Sequence, residues 1–285
     1  MRVFLTGASG ILGTDIAKQL ALLGWECISF NSQNIDLTNL PDIESKMHPF
    51  KPDVVIHSAA LTNVDLCEED KDLAFSINVT GTKNMAIASG KIGAKIVYIS
   101  SCGVYGNGKA TPYSEEDDTN PLNYHHVTKL EGERMVIENN QKAIVVRPGW
   151  LFGGTTLHKK NFVEARRKEA QNTSTLSSAA DKVGSPTYTY DLAKQIITLI
   201  ENDVNGICNI VNEGCASRCE YVAEIIKLLN LNTMVQPVNS NEFPRKANMP
   251  NNECLENARL NKAGINQMRN WKEALKDYIT TTYNL

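Results

Sequence analysis

The sequence has no long apolar run, no excess of basic residues and no cysteine framework, and each absence excludes a class of protein. No run reaches the roughly 20 apolar residues of a membrane-spanning helix, so we expect no membrane partner. Lys and Arg number 29 against 32 Asp and Glu, which leaves a net charge of -3. Without a basic stripe, nucleic acid is excluded as an expected partner. Internal repeats and low-complexity segments are also absent.

The cysteines show no CxxC pair, although the chain has seven of them. Such usage is typical of reduced thiols in a cytoplasmic protein. Cys215 and Cys219 lie one helical turn apart, but no histidine accompanies them, so we expect no metal. A buried strand predicted at residues 3–5 leaves no room for a signal peptide, which agrees with a cytoplasmic location. The seven are Cys27, Cys67, Cys102, Cys208, Cys215, Cys219 and Cys254.

The start of the chain carries its strongest motif. Val3 to Leu5 predicts a buried strand, and Gly7, Gly10 and Gly13 follow it at spacings of three. A strand, a glycine turn and a helix form the phosphate-binding start of a doubly wound sheet. The glycines let the backbone approach a pyrophosphate, and the helix N-terminus offers free N–H groups. Helical spacing continues through Ile11, Leu12, Ile16, Ala17 and Leu20.

The end of the second predicted strand, Glu26 to Phe30, indicates which cofactor is used. An acidic residue there would bond the NAD 2′-hydroxyl and repel the NADP phosphate. The sequence instead has the neutral stretch Asn31-Ser-Gln-Asn34, so we favour NADP(H) over NAD(H). We assign Asp36 and Leu37 to the adenine side of this site. Asp36 is equally a simple loop or cap residue, and Thr38 is the expected N-cap of the next helix.

Strand and helix patterns alternate through the first half of the chain, which predicts a parallel α/β sheet. Beyond Gly153 short strands and separate helices replace this alternation. We therefore expect a Rossmann-type doubly wound parallel sheet with a smaller α/β C-terminal substrate lobe. The predicted dinucleotide-binding domain covers residues 1–152 and the substrate-binding lobe residues 153–285, with the chain free to cross between them more than once. The further strands are predicted at 52–57, 95–100 and 143–146, and the helices at 69–90 and 124–138.

Several segments together resemble the dTDP-4-dehydrorhamnose reductase family of the extended short-chain dehydrogenase/reductase superfamily. The glycine turn is similar to the cofactor turn of that family, and Ile99-Ser-Ser101 stands where the family has "IST". The resemblance covers nearly the whole chain. The other matching segments are Lys51-Pro-Asp-Val-Val-Ile-His-Ser-Ala-Ala-Leu-Thr-Asn-Val-Asp65, Asn120-Pro-Leu-Asn123, Lys129-Leu-Glu-Gly-Glu133, Arg147-Pro-Gly-Trp-Leu-Phe-Gly153 and Asp181-Lys-Val-Gly-Ser-Pro-Thr187 with Asp191-Leu-Ala193.

The resemblance implies a nicotinamide cofactor, a nucleotide-sugar substrate and a homodimer. In this family a hydride goes to the C4 carbonyl of a 4-dehydro-6-deoxy sugar. A Tyr in a Tyr-x-x-x-Lys pair gives the proton, and a Ser or Thr bonds the carbonyl. Carried over, Ser101 takes the hydroxyl role, and Lys129 takes the lysine role and also binds the nicotinamide ribose. The resemblance further assigns Ala59, Ala60 and Thr62 to the cofactor, and Val64, Cys102, Tyr124 and Trp150 to the substrate.

His125 stands four residues before Lys129, where the family has its Tyr. Histidine has an unperturbed pKa of about 6.5. Burial and the charge of Lys129 both push the pKa of His125 down, so we expect a mostly neutral, weak proton donor at neutral pH. The other interpretation is a cleft-lining residue without a catalytic role. Tyr124 is one position off and points about 140° away from Lys129 on a helix.

Two further departures concern the substrate side. Cys102-Gly103 replaces the Asp-Tyr that commonly follows "IST" in the family, and Met249 stands where an Arg is common. The stretch Ser-Ser-Cys-Gly-Val-Tyr-Gly106 is similar to the "SSxxVYG" segment of sugar-nucleotide epimerases and dehydratases. We expect an NAD(P)H-dependent nucleotide-sugar 4-reductase with an altered proton donor. The alternatives are a cofactor-binding regulatory subunit, like the β subunit of methionine adenosyltransferase, and a related epimerase or dehydratase.

Overall fold

A computed structural model describes all residues 1–285 of the chain. The strands are β1 (Arg2–Thr6), β2 (Glu26–Phe30), β3 (Val54–His57), β4 (Lys95–Ile99), β5 (Ala143–Pro148), β6 (Trp150–Phe152), β7 (Thr175–Ala179), β8 (Val183–Gly184), β9 (Pro186–Tyr188), β10 (Gly206–Ile210), β11 (Ala216–Ser217), β12 (Met234–Val238) and β13 (Asn252–Glu253). The α-helices are α1 (Ile11–Leu22), α2 (Leu40–Phe50), α3 (Val64–Glu69), α4 (Lys71–Phe75), α5 (Gly81–Lys91), α6 (Tyr124–Asn139), α7 (Phe162–Ala170), α8 (Thr189–Glu201), α9 (Arg218–Leu228), α10 (Ala258–Ala263) and α11 (Trp271–Tyr283).

Six parallel strands form the central sheet in the order β10-β5-β4-β3-β1-β2. The predicted α/β fold with a doubly wound parallel sheet is confirmed. The strand order reverses between β1 and β3, and ligands of such sheets bind in the crevice beyond the carboxyl ends of the strands at this reversal. The glycine turn follows β1 and the Ser58-Ala-Ala60 stretch follows β3, so both border this crevice.

Both faces of the sheet are covered, which explains the continuous apolar runs of the central strands. Neighbouring side chains point to opposite faces. Leu5 and Val146 pack with residues of α1 and α8, whereas Phe4 and Val145 pack with residues of α2, α5 and α6. Each strand of the sheet thereby contributes to two separate cores.

The second half of the chain returns to the central sheet. β10 pairs with β5 at the edge of the sheet, and α8 packs against α1. The remaining strands form three small sheets, β11-β8-β13, β12-β7 and β6-β9. An aromatic cluster joins this lobe, with Phe152 packed against the rings of Tyr188, Tyr221 and Tyr278.

The helix predicted over residues 69–90 runs from Lys71 to Lys91 in the structure, through α4, a π-helical turn over Ser76–Thr80 and α5. The short helix α3 precedes it and was not predicted. Asn63 caps α3 and Asp70 caps α4, each by accepting a backbone N–H three residues later. Side-chain caps compete with helix continuation, which is why α3 ends where α4 begins. The predicted N-cap of α2 is also wrong by one residue, because Asn39 and not Thr38 caps that helix.

Two of the seven cysteines are brought together by the fold. Cys215 and Cys254 lie side by side, and their Cα atoms are 5.8 Å apart. Cys215 precedes β11 and Cys254 follows β13, and both strands pair with β8. Two cysteines 39 residues apart in the chain therefore meet through sheet pairing. The other five cysteines are free.

Candidate active site

The glycine turn between β1 and α1 is built for close approach of a phosphate group. Gly7 has a φ of +72°, a conformation that favours glycine. A Cβ on Gly13 would overlap the Gly7 carbonyl, so α1 packs directly on the turn. Gly10 caps α1 without any side-chain hydrogen bond, and the first turn carries no acidic residue. The N–H groups at this helix start are therefore free to bind an anion.

The end of β3 forms the other wall of the crevice. A Cβ on Gly7 would lie 2.7 Å from the backbone nitrogen of Ala59, which shows how closely the two chain segments pass. Ser58 Oγ donates to the Thr6 carbonyl at 2.8 Å and ties β3 to β1. Ala59 and Ala60 are half-buried and leave a flat, small-residue surface. Such a surface suits a flat ring laid against the backbone.

The loop after β2 holds itself together and presents no charge at its start. Asn31 Oδ1 accepts from the Gln33 backbone, and Asn34 Oδ1 accepts from the Asn31 backbone. The Asp36 carboxylate accepts from both the backbone and the hydroxyl of Thr38, so it acts as a turn residue in this structure. The Leu37 carbonyl accepts from Asn84 on α5, which fixes this loop against that helix.

Residues 153–161 bridge the two walls of the crevice, a feature that the sequence analysis missed. His158 Nε2 lies 3.2 Å from the Thr14 hydroxyl in the first turn of α1. Lys160 Nζ hydrogen-bonds the Thr62 hydroxyl, beyond the end of β3. Three basic side chains follow the two glycines of this loop, at His158, Lys159 and Lys160. That local composition is the signal by which the bridge could have been found.

The start of α6 carries the residues predicted for proton transfer. Asn123 caps the helix by accepting from His126, and α6 begins at Tyr124 as predicted. His125 is only 7% exposed, and its Nδ1 donates to the Leu61 carbonyl at 3.1 Å. Because a carbonyl only accepts, the proton of the neutral ring sits on Nδ1, and Nε2 carries the lone pair.

Lys129 lies one turn along α6, on the same face as His125. It is 4% exposed and its Nζ lies 4.3 Å from the centre of the Tyr98 ring, with no carboxylate paired to it. Burial lowers the pKa of Lys129 to about 7, against the opposing charge of Glu133. Glu133 itself is occupied by Arg147, whose guanidinium binds it through two nitrogens. Lys129 is therefore a buried amine whose hold on its proton is weakened by burial.

The pKa of His125 is lowered to about 3. Burial is the main cause, and the nearby His126 and Lys129 add to it. Tyr124 does not compensate, because its ring lies beneath Lys71 Nζ of α4 at 5.2 Å and not beside Lys129. Ser101 is half-buried two residues beyond β4, and its Oγ accepts from the Gly103 backbone at 3.3 Å.

The predicted substrate residues Trp150 and Cys102 meet at a glutamate that the sequence analysis missed. Glu253 accepts from Trp150 Nε1 at 2.8 Å and from Cys102 Sγ at 3.4 Å. All three side chains are buried. The Arg218 guanidinium stacks over the Trp150 ring at 3.4 Å. Val64, the first residue of α3, is half-buried. No sequence motif announces Glu253, since it reaches the site only through the pairing of β13 with β8.

The cysteine beside Ser101 is a neutral thiol. Burial raises the pKa of Cys102 well above its usual range, and the charge of Glu253 adds to the effect.

No three His, Cys, Asp or Glu side chains are grouped so as to hold a metal ion. No helix has the length and apolar character needed to cross a membrane.

A glycine turn at the reversal point of a parallel sheet, with Ser101 and Lys129 on neighbouring elements, is the arrangement of an extended short-chain dehydrogenase/reductase. A protein-family model described as the RmlD substrate binding domain matches residues 1–284. The chain belongs to this family, whose curated relatives include dTDP-4-dehydrorhamnose reductases. It is 34% identical to that enzyme from Mycolicibacterium smegmatis, over 98% of this chain and 85% of the relative. It is also 34% identical to the spore coat polysaccharide biosynthesis protein SpsK of Bacillus subtilis, over 98% and 96%.

Solved structures agree with this assignment. A dTDP-4-dehydrorhamnose reductase from Clostridium acetobutylicum is 37% identical, with a TM-score of 0.95 and 99% of both chains covered. The Bacillus anthracis protein of that name, solved in complex with NADP, is 33% identical with the same TM-score and the same coverage. A UDP-glucose 4-epimerase from Thermus thermophilus is 21% identical with a TM-score of 0.84, which shows a shared fold alone.

Proposed function

We propose that this chain uses NADPH to reduce the C4 carbonyl of a 4-dehydro-6-deoxy sugar linked to a nucleoside diphosphate. The observation that carries the proposal is the geometry of one crevice. The glycine turn follows β1 and Ser101 follows β4, at the carboxyl ends of two strands that both pair with β3, and Lys129 Nζ on α6 lies over the ring of Tyr98 near the end of β4. A hydride donor held by the turn and a carbonyl bonded by Ser101 would then share this crevice.

The residues of the turn fit a dinucleotide cofactor, whose nicotinamide ring supplies the hydride when it is bound. Gly7, Gly10 and Gly13, with the starts of Ile11 and Leu12, would hold the pyrophosphate through backbone N–H groups. The neutral loop starting at Asn31 lacks a carboxylate that would repel a 2′-phosphate, which supports NADP(H) over NAD(H). Support also comes from the Bacillus anthracis relative, which was solved in complex with NADP.

Asp36, Leu37, Ala59, Ala60 and Thr62 stay proposals for the remaining cofactor contacts. Ala59 and Ala60 suit that role because their small side chains leave a flat wall. Thr62 would first exchange its bond with Lys160 for one to the cofactor. Val64, Cys102, Tyr124 and Trp150 stay proposals for the substrate side.

We further propose that Lys129 Nζ, directly or through a water, supplies the proton that the family takes from a tyrosine. His125 is neutral above about pH 4, because its pKa is about 3. Its accessible nitrogen Nε2 carries a lone pair, so it accepts hydrogen bonds and does not donate them. The pKa of Lys129 is about 7, close to the value that favours acid catalysis at neutral pH. Ser101 Oγ would donate a hydrogen bond to the carbonyl oxygen.

The test is NADPH oxidation with a dTDP-4-dehydro-6-deoxy sugar from pH 5.5 to 9. For the natural chain we expect a slow rate that falls as pH rises through about 7, because Lys129 must carry its proton. His125→Tyr restores a tyrosine four residues before Lys129, and we expect a gain of about 10²-fold, the lower end of general acid catalysis. His48→Tyr makes the same change at an exposed site and should leave the rate unchanged.

The outcomes separate the proposals. A rate that keeps rising below pH 6 would mean that His125 acts as a cationic acid, and would contradict the role given to Lys129. No turnover by either form, despite NADPH binding, would contradict the sugar substrate.

A second function is favoured by the low pKa of His125, namely a regulatory subunit that binds the cofactor without catalysis. It predicts that only His125→Tyr turns over, and that the natural chain co-purifies with a stoichiometric partner protein. Purification without any stoichiometric partner would contradict it. The expected homodimer stays a proposal, which sedimentation of the purified chain tests.

A further inference from the structure

His126 occupies the space in which a side chain at position 103 would stand. Gly103 lies two residues after Ser101 and is buried. A Cβ built on Gly103 would overlap the imidazole of His126, touching Cε1, Nδ1 and Nε2 alike. The Asp-Tyr pair that commonly follows "IST" in the family is therefore not merely absent here. The imidazole of His126, on α6, fills its place beside Ser101.

This ring has an unsatisfied nitrogen. His126 is 3% exposed, and its Nδ1 is a buried polar atom without any hydrogen-bond partner. A neutral imidazole has one N–H donor and one bare acceptor nitrogen. An enclosed N–H without a partner is rarer than an enclosed acceptor without one. The proton of His126 therefore belongs on Nε2, the nitrogen that is not enclosed in this way.

The two adjacent histidines thus have opposite tautomers. His125 holds its proton on Nδ1, where it bonds the Leu61 carbonyl, and exposes a lone pair on Nε2. His126 leaves Nδ1 bare and carries its proton on Nε2. Their ring centres lie 5.3 Å apart, so the N-terminus of α6 offers a hydrogen-bond acceptor and a hydrogen-bond donor side by side.

No neighbouring group takes up the donor of His126. Glu253, the carboxylate whose charge acts on His126, accepts from Trp150 and Cys102 and makes no hydrogen bond to His126. Burial lowers the pKa of His126, and the charge of Glu253 opposes this without reversing it. The ring is therefore neutral at neutral pH, with one N–H left for a ligand.

We propose that His126 Nε2–H donates a hydrogen bond to an oxygen of the sugar bound beside Ser101. The inference rests on the proposed nucleotide-sugar substrate. It makes His126 a substrate-binding residue that replaces a side chain missing at Gly103, and it concerns sugar positioning and not proton transfer.

The tautomers are tested first, without any substrate. Long-range ¹H–¹⁵N spectra of protein labelled at its 5 histidines report which ring nitrogen carries each proton. The signals are assigned with His125→Phe and His126→Phe variants. We expect the Nε2–H form for His126 and the Nδ1–H form for His125. An Nδ1–H form for His126 would overturn the inference.

Binding of a dTDP-sugar to the protein saturated with NADP⁺ is the second test. His126→Phe keeps the ring volume without the donor, and we expect about tenfold weaker sugar binding, the worth of one ordinary hydrogen bond. His126→Gln places an N–H near Nε2 and should stay within about threefold of the natural chain, while His126→Asn, whose amide matches Nδ1, should resemble the Phe variant. NADP⁺ affinity should be the same in all four proteins.

The results distinguish this inference from the proposed function. Equal sugar binding by the natural chain and His126→Phe overturns the inference alone. A natural chain that binds NADP⁺ but no dTDP-sugar contradicts the substrate class and the inference together. The double variant Gly103→Tyr with His126→Gly is a further check, because removing the ring makes room for the new one. We expect it to bind sugar better than Gly103→Tyr alone, in which the two side chains collide.

Discussion

The phosphate-binding turn and the start of α6 lie on the same crevice but are built in different ways. The turn over residues 7–13 is made by backbone geometry within one short segment, with glycines at each close approach. The start of α6 depends on side chains and carbonyls from distant segments, including Leu61, Gly103 and Glu253. A region built from one segment keeps its conformation when other parts of the chain change. A region built from several segments can be altered by a single substitution in any one of them.

This difference agrees with a chain that keeps three spaced glycines after β1 but has His125 four residues before Lys129. Substitutions in one region should therefore leave the properties that depend on the other region unchanged.

The largest expected effect concerns the anchor of α6. Arg147 and Glu133 form a buried pair with 4% and 2% exposed side chains. Arg147→Leu leaves the Glu133 charge unpaired, so we expect a loss of about 3–5 kcal/mol in the free energy of unfolding. Urea denaturation measures it. Arg134→Leu breaks the exposed pair with Glu131 and is the matched control, expected to stay within about 1 kcal/mol. Equal effects of the two variants would contradict the anchoring role.

The next effect concerns the glycine turn. Gly13→Ala brings a Cβ onto the Gly7 carbonyl, and overpacking of this kind costs about 1–3 kcal/mol. If this cost displaces the turn from the bound phosphates, NADPH affinity falls by up to about 100-fold. Fluorescence titration measures the affinity. Gly108→Ala adds a Cβ into open space and should change nothing. If Gly13→Ala binds NADPH normally, the turn is not the phosphate site.

Cofactor preference should shift by a smaller amount. Asn31→Asp introduces a carboxylate at the end of β2, which repels a 2′-phosphate and accepts from a 2′-hydroxyl. We expect the ratio of NADPH to NADH affinity to fall about tenfold, or about 1.4 kcal/mol. Asn241→Asp makes the same change at a distant exposed site. An unchanged ratio in Asn31→Asp would place the 2′-phosphate elsewhere.

The last comparison concerns acid stability. Burial lowers the pKa of His57 and of His125 to about 3, so the folded protein binds fewer protons than the unfolded chain between about pH 3 and 6.5. Stability therefore falls as pH drops through this window. His125→Phe should reduce proton uptake on unfolding at pH 5 by about one proton. The exposed His48→Phe should leave it unchanged, and identical slopes for both variants would contradict the burial of His125.

The central sheet was predictable because its signals are local. The strands β1, β3, β4 and β5 are each a short apolar run, and α1 repeats apolar residues at helical spacing. The helix over residues 71–91 was also predicted, but the separate helix α3 and the π-helical turn over Ser76–Thr80 were missed, since apolar spacing does not reveal side-chain caps or a change of helix type. The contact between Cys215 and Cys254 was missed because β8 stands between the two strands that bring the cysteines together.

The residues of the candidate site likewise fall into those with a local sequence signal and those brought together only by the fold. The glycine spacing is recognisable from its own segment, whereas the roles of the serine after β4 and the lysine on α6 were expected from the resemblance to the family. The sequence does not reveal three other features: Glu253, the bridge made by His158 and Lys160, and the ring of His126 over Gly103. Local spacing could indicate that His125 is a weak acid, because the argument needs only burial and a nearby lysine.

The chain's own order of residues is enough to define a nucleotide-binding α/β sheet, because backbone conformation and helical periodicity are properties of short segments. Which nitrogen of each histidine carries the proton, and which carboxylate faces it, was decided by the packing of distant segments. Hydrogen-bond partners and burial are set by neighbours in space, and only the folded chain brings Leu61, Gly103 and Glu253 to the start of α6.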